Sequence, residues 1–141
     1  MKHTYFTETR NWRAEGTYCD EKGAKFPLTG EVNVVCTGKE SALGGYLEVA
    51  FETPLRFENN YKISPVDDHT YSWESYNPAL GTLRGSFSVL GDYILSIYVS
   101  EDGLYSGTEA LRQVAPYTYE NAGACFCGGS RLSSWIAIIR S

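Results

Sequence analysis

The sequence contains one methionine and two histidines, and it is sparing with lysine and alanine. Ala, Lys and Met are among the better helix formers, so their scarcity leaves poor material for long helices. No stretch reaches the roughly 20 apolar residues of a membrane-spanning helix. There is no cluster of Lys and Arg either, and the formal net charge is −5 with a pI near 5.0. A polyanion needs a basic stripe, so neither nucleic acid nor an anionic membrane surface is expected as a partner. The opening MKHTYFTETRNW has no apolar core and no small-residue cleavage site, unlike a signal peptide. A cytoplasmic protein follows as the expectation, with its four cysteines present as thiols. Also missing are a Ser-His-Asp order, a phosphate-binding loop, a dinucleotide fingerprint and a metalloprotease helix.

What the chain does have is aromatic residues. They make up 14% of its 141 positions, with 11 tyrosines, and aromatics favour strands and ligand-lined surfaces. The length suits one domain, residues 1–141, with a real apolar core. The clearest stretch runs from Leu83 to Leu111. There LRGSFSVL, YILSIYVS and LYSGTEAL are joined at Gly91-Asp92 and at Glu101-Asp102-Gly103, an antiparallel meander with hairpin turns.

The same grammar extends outward. Residues 1–9 read as a frayed lead-in. Arg10 to Tyr18 predicts a strand with Trp12, Ala14, Gly16 and Tyr18 on one side. Pro27 predicts an edge or a loop. Val32, Val34 and Cys36 share a face, Gly38 to Gly45 reads as a loop, and Leu47, Val49 and Phe51 turn inward in the next strand. Asn59-Asn60 predicts a turn or bulge within Leu55 to Ile63. Tyr71, Trp73 and Ser75 alternate within HTYSWESY. Gln113 to Asn121 reads as a loop around Pro116, and Arg131 to Arg140 closes the chain as a final strand. About eight to ten short strands at this spacing predict an all-β fold. Closure removes exposed edges, which favours a single antiparallel up-and-down barrel.

Two residues at the ends sharpen the picture. Trp12 on the first strand (NWRAEG) and Arg140 on the last (IAIIRS) resemble the pattern of the lipocalin-like barrels, the calycin superfamily. The resemblance implies that Trp12 packs across the barrel floor against Arg140, as a cation–π contact. The family's G-x-W triplet is replaced by Arg10-Asn11 ahead of Trp12, and no T-D-Y type of motif stands mid-chain, so no subfamily is assigned. A haem-binding relative needs a histidine near the iron. Only His3 and His69 exist, neither on the closing strand, and no cofactor is expected.

Inward parity then selects candidate site residues. Leu83, Gly85, Phe87 and Val89 share a face; on the following strand either Leu95, Ile97 and Val99 or Ile94 and Tyr98 point in. Tyr105, Gly107, Glu109 and Leu111 share the next face. Two inward glycines, Gly85 and Gly107, predict space for a cavity. A ligand is expected to meet Tyr71, Trp73, Phe87, Tyr105 and Glu109. Glu109 is the sharpest of them: burial among apolar groups raises a carboxyl pKa, with Tyr71, Trp73 and an arginine as expected neighbours. Cys125-Phe126-Cys127 suits neither a relaxed disulfide nor a redox pair and reads as small buried residues; no metal site is expected.

Three functions are compatible with these residues. The first is binding of a small hydrophobic or aromatic ligand in the cavity. The second is a lyase, isomerase or cyclase using Glu109 with a Tyr or Arg in the same cavity. The third is a structural or interaction domain, a homodimer included, whose barrel is filled solid.

Overall fold

The computed structural model describes residues 1–141. Ten strands follow one another: β1 (Arg10–Cys19), β2 (Lys25–Thr37), β3 (Glu40–Val49), β4 (Leu55–Pro65), β5 (Thr70–Asn77), β6 (Gly81–Leu90), β7 (Tyr93–Ser100), β8 (Tyr105–Ala115), β9 (Thr118–Cys127) and β10 (Ser130–Arg140). Each pairs antiparallel with its neighbours in sequence, and β1 pairs with β10, so the sheet closes into a barrel. The meander turns carry the glycines at positive φ that hairpins need, Gly91 at 59° and Gly103 at 76°.

Closure explains most departures from the sequence pattern. Pro27 lies inside β2, opposite Thr17, and not in a loop. It is tolerated because the β2–β3 ladder begins only at Leu28↔Val49; Pro27 accepts from the Ala50 N–H (3.0 Å) but has no donation to make beyond that point. The expected loop from Gly38 to Gly45 shrinks to a tight turn, with Leu43 buried in β3. The predicted bulge at Asn59-Asn60 is absent. Both residues stay in register opposite Gly45 and Gly44, and the Asn59 side chain accepts from Asn77 Nδ2 at 3.0 Å in place of a local turn. Gln113 to Asn121 is likewise strand on both sides of Pro116-Tyr117, with the irregularity confined to Gln113/Ala115. On β7 the choice of parity is resolved: Ile94, Ser96 and Tyr98 face in, while Leu95, Ile97 and Val99 lie on the outer wall.

The largest departure is the N-terminus. Residues 1–9 are no frayed lead-in; they cross one end of the barrel and cork it, burying Thr4, Tyr5 and Phe6. Tyr5 packs between Trp12 (5.3 Å between ring centroids) and Tyr119 (5.8 Å), and Phe6 lies between Phe87 (5.1 Å) and Tyr71 (4.8 Å). A polar chain pins the cork. The Gly91 carbonyl can only accept, so His3 Nε2 carries the proton and donates to it at 2.7 Å. His3 Nδ1 is then left to accept from the Tyr119 hydroxyl (3.0 Å), which itself accepts from the Thr4 N–H (3.0 Å). Gln113 Nε2 donates to the Lys2 carbonyl at 2.8 Å, and the Ser41 hydroxyl to that of Phe6 at 2.6 Å.

Trp12 is buried on this floor as expected, but its expected partner is not there. Ile139 points inward, so Arg140 points outward, opposite the equally exposed Arg13. The guanidinium at this end belongs to Arg10, on the same face of β1 as Trp12, and it lies 3.8 Å from the centre of the Tyr117 ring.

The cork yields a stability prediction. Tyr119→Phe leaves the ring packing intact but strands the buried Thr4 N–H. A loss of about 1–3 kcal/mol is expected in denaturant unfolding, with closure of the barrel preserved in circular dichroism.

Candidate functional site

With one end corked, the interior opens toward the other, where the β1–β2, β3–β4, β5–β6, β7–β8 and β9–β10 hairpins lie. A cavity of about 300 Å³ occupies that half. Fifteen of its 20 lining residues are hydrophobic; the other five are Asn59, Asn77, Ser96, Glu109 and Ser133. The interior is therefore not filled solid. A smaller void of about 90 Å³ lies toward the cork and shares Leu28, Leu47, Asn59, Tyr61, Glu109 and Trp135 with the larger one. Glu109 thus stands at the junction of the two spaces.

The inner glycines do not create the cavity by emptiness, contrary to the sequence expectation. Each is covered by the ring directly across the strand: Gly85 by Trp73, Gly107 by Tyr98, and Gly123 by Trp135. A Cβ at these positions would come within 2.6, 2.1 and 2.2 Å of the ring in turn, so only glycine lets the rings lie flat on the wall. Flattened rings line the interior without crossing it, and the space in the middle remains.

Of the residues expected to meet a ligand, Trp73, Phe87 and Glu109 line the cavity. Tyr71 does not. It shares the inner face but lies at the corked end, edge-on to Phe6. Tyr105 does not either; it pairs with Cys127 close to the β7–β8 hairpin, outside the lining. Nor does Glu109 gain an arginine or Tyr71 as neighbour, since no arginine lines the cavity. Its surroundings are instead Asn121 and the phenols of Tyr5, Tyr61 and Tyr98.

Protein surrounds Glu109, and the surface it retains borders the two spaces. Burial pushes its pKa up from 4.5 to about 7, and the nearby Asn121 amide offsets only part of that rise. Asn121 is itself fixed, donating to the Ala110 carbonyl (3.1 Å) and accepting from Trp135 Nε1 (3.0 Å). Burial first, and then the charge on Glu109, hold the Tyr5 and Tyr61 hydroxyls above the usual phenol range. Tyr98 is raised by burial and then by the Cys125 thiol beside it. Burial likewise pushes the Cys125 thiol up, and all four cysteines are free.

An aromatic wall faces this carboxyl. Trp73 is flanked by Tyr61 (4.9 Å), Tyr98 (5.6 Å) and Phe87 (6.0 Å), and its Nε1 donates to Ser96 Oγ at 3.1 Å. Sequence reasoning missed Tyr61, Asn121 and Trp135 as site residues. Strict alternation through Phe57, Asn59, Tyr61 and Ile63, and again through Tyr119, Asn121, Gly123 and Cys125, was the available signal, obscured by asparagines that point inward.

No family model matches the chain, and no curated protein matches it. Among solved structures, the S-type phycobiliprotein lyase CPES from Guillardia theta is similar, with a TM-score of 0.69 over 95% of this chain and 88% of that one. Sequence identity is 8%, so the likeness is one of fold. The fold is a closed, ten-stranded antiparallel β-barrel, consistent with a lipocalin-like fold. Its ten strands close one sheet around an interior with room for a guest.

Two predictions follow from the geometry. Gly123→Ala forces the Trp135 ring off the wall and should cost about 1–3 kcal/mol, read as a lowered melting temperature. The second concerns pH. Unfolding lets Glu109 ionise near 4.5, whereas the fold holds its proton to about 7. The folded state therefore carries the extra proton between these values, and raising the pH through that window lowers stability by up to roughly 3 kcal/mol. Urea midpoints measured from pH 4 to 8, a span of about 4 units around that window, should show this slope, and Glu109→Gln should remove it.

Proposed function

We propose that the protein binds a small, flat, largely aromatic molecule inside its barrel. The observation that carries this is the cavity of about 300 Å³, predominantly apolar and lying in the half of the barrel opposite the cork. That volume stands at the lower end of the range for ligand sites of about 300–1,000 Å³, which suits a guest of one to three rings. The indole donors of the wall are already committed, Trp73 Nε1 to Ser96 and Trp135 Nε1 to Asn121. A guest is therefore held chiefly by apolar burial and ring stacking, with few polar groups to orient it. A cytosolic setting belongs to the same proposal and is supported by four unpaired cysteines.

A second reading is favoured by one observation. Glu109, with its pKa raised to about 7, is poised to take or give a proton near neutrality, as a lyase, isomerase or cyclase requires. The fold is shared with a protein named as a lyase, which supports catalysis as compatible with this architecture. If turnover is found, its pH profile should bend near 7 and lose that bend in Glu109→Gln.

Binding is tested with N-phenyl-1-naphthylamine, a neutral probe whose fluorescence rises in apolar surroundings. A saturable rise is expected for the wild type. Leu132→Trp, which puts an indole into the cavity lining, should weaken it at least about tenfold while leaving the circular dichroism spectrum unchanged. Equal binding by both would place the probe outside the barrel. Native mass spectrometry of protein purified from its own host should reveal the resident guest directly.

A further inference from the structure

The cavity wall is chemically one-sided. Among its 20 lining residues there is one ionisable carboxyl, Glu109, and no Lys, Arg or His. The arginines that the structure pairs with carboxylates, Arg10 with Glu8, Arg56 with Glu48 and Arg84 with Glu74, all lie outside this lining. No cation in the lining balances a negative charge on Glu109 or would attract an anionic guest.

The rings point to the same conclusion independently. Trp73 and Tyr98 lie flat over Gly85 and Gly107 on the wall of the larger space, and Tyr61 lines it 4.9 Å from Trp73, which is 5.6 Å from Tyr98. The π face of an aromatic ring carries negative potential, so a group of such faces attracts a cation and repels an anion. Hydrogen bonding adds a third constraint. The indole donors of Trp73 and Trp135 are used within the wall, as is the Asn77 amide, which donates to Asn59. The strongest acceptor on the wall is Glu109, whose carboxyl has about four lone-pair sites and only neutral groups beside it, the Asn121 amide and the phenols of Tyr5, Tyr61 and Tyr98.

Resting on the binding function proposed above, we infer that the guest is an aromatic molecule bearing a basic or N–H-donating nitrogen, which donates to the Glu109 carboxylate while its ring stacks on the Trp73 wall. An ammonium there supplies the missing counter-charge, makes a charge-assisted hydrogen bond, and sits within reach of the ring faces. A carboxylate on the same ring system would meet Glu109 and the ring faces with the wrong sign. The groups facing Glu109 are Tyr5 from the N-terminal cork, Tyr61 on β4, Tyr98 on β7 and Asn121 on β9. None is a cation that would compete with the guest.

Three probes of one ring system separate the possibilities: tryptamine, 3-methylindole and indole-3-acetate, titrated by calorimetry at pH near 7.5 into the full chain. Tryptamine should bind at least about tenfold more tightly than 3-methylindole, and indole-3-acetate more weakly than either. In Glu109→Gln the advantage of tryptamine should vanish while 3-methylindole binds as before. Glu58→Gln, which removes an exposed carboxylate from β4, should leave all three affinities unchanged and so controls for net charge. If 3-methylindole binds and tryptamine gains nothing over it, or keeps its gain in Glu109→Gln, the nitrogen-bearing class is wrong and the cavity function stands. If none of the three binds, both are overturned.

Discussion

The pairing of β1 with β10 is the constraint from which the rest follows. Seven residue pairs, from Arg13↔Arg140 to Cys19↔Ser134, join the ends of the sheet and leave no strand edge unpaired. Closing ten strands makes a wider tube than closing eight, one whose bore small side chains cannot fill. Such a tube must be stopped and lined, and the chain does each with a separate device. The N-terminal segment stops one end with Tyr5 and Phe6. Cross-strand pairs of glycine and aromatic residues line the middle.

These pairs divide the labour between sequence positions that look unrelated. Trp73, Tyr98 and Trp135 would each project into the bore if the opposite residue carried a Cβ. Opposite glycine, each lies against the wall instead and adds dispersion contacts without closing the interior. Apolar lining and open space thereby coexist, a combination that ordinary core packing works against. Glu109 gains its character from the same arrangement. Its own cross-strand neighbours are Ser96 and Gly123, and the Trp135 ring lies over the glycine, so the carboxyl is enclosed without an ionic partner.

Much of the barrel could be read from the chain, and the failures share a cause. Where inner and outer residues differ in polarity, alternation shows the inward face: Trp12 and Ala14, Leu83 and Phe87, and Glu109 between Gly107 and Leu111. Where the inner wall is itself polar, the pattern breaks. Asn59 reads as a turn residue because, locally, asparagine favours turns, and Asn121 falls at the end of the loop read around Pro116. They are satisfied by Asn77 and Trp135, respectively 18 and 14 residues away, which no local window contains. The cork was illegible for the same reason, since Thr4 and Tyr5 find their partner in Tyr119. Arg140 failed differently: the resemblance located an arginine on the last strand, but parity turns it outward, and Arg10 supplies the floor's guanidinium.

Both chain ends meet at the stopped side of the barrel. Met1 lies beyond the cork, and the Ser141 N–H donates to the Tyr117 carbonyl (3.0 Å) in the β8–β9 turn beside it. Anything joined to either terminus, whether an affinity handle, a surface linkage or another folded module, would therefore hang from the base of the cup and leave its rim unobstructed.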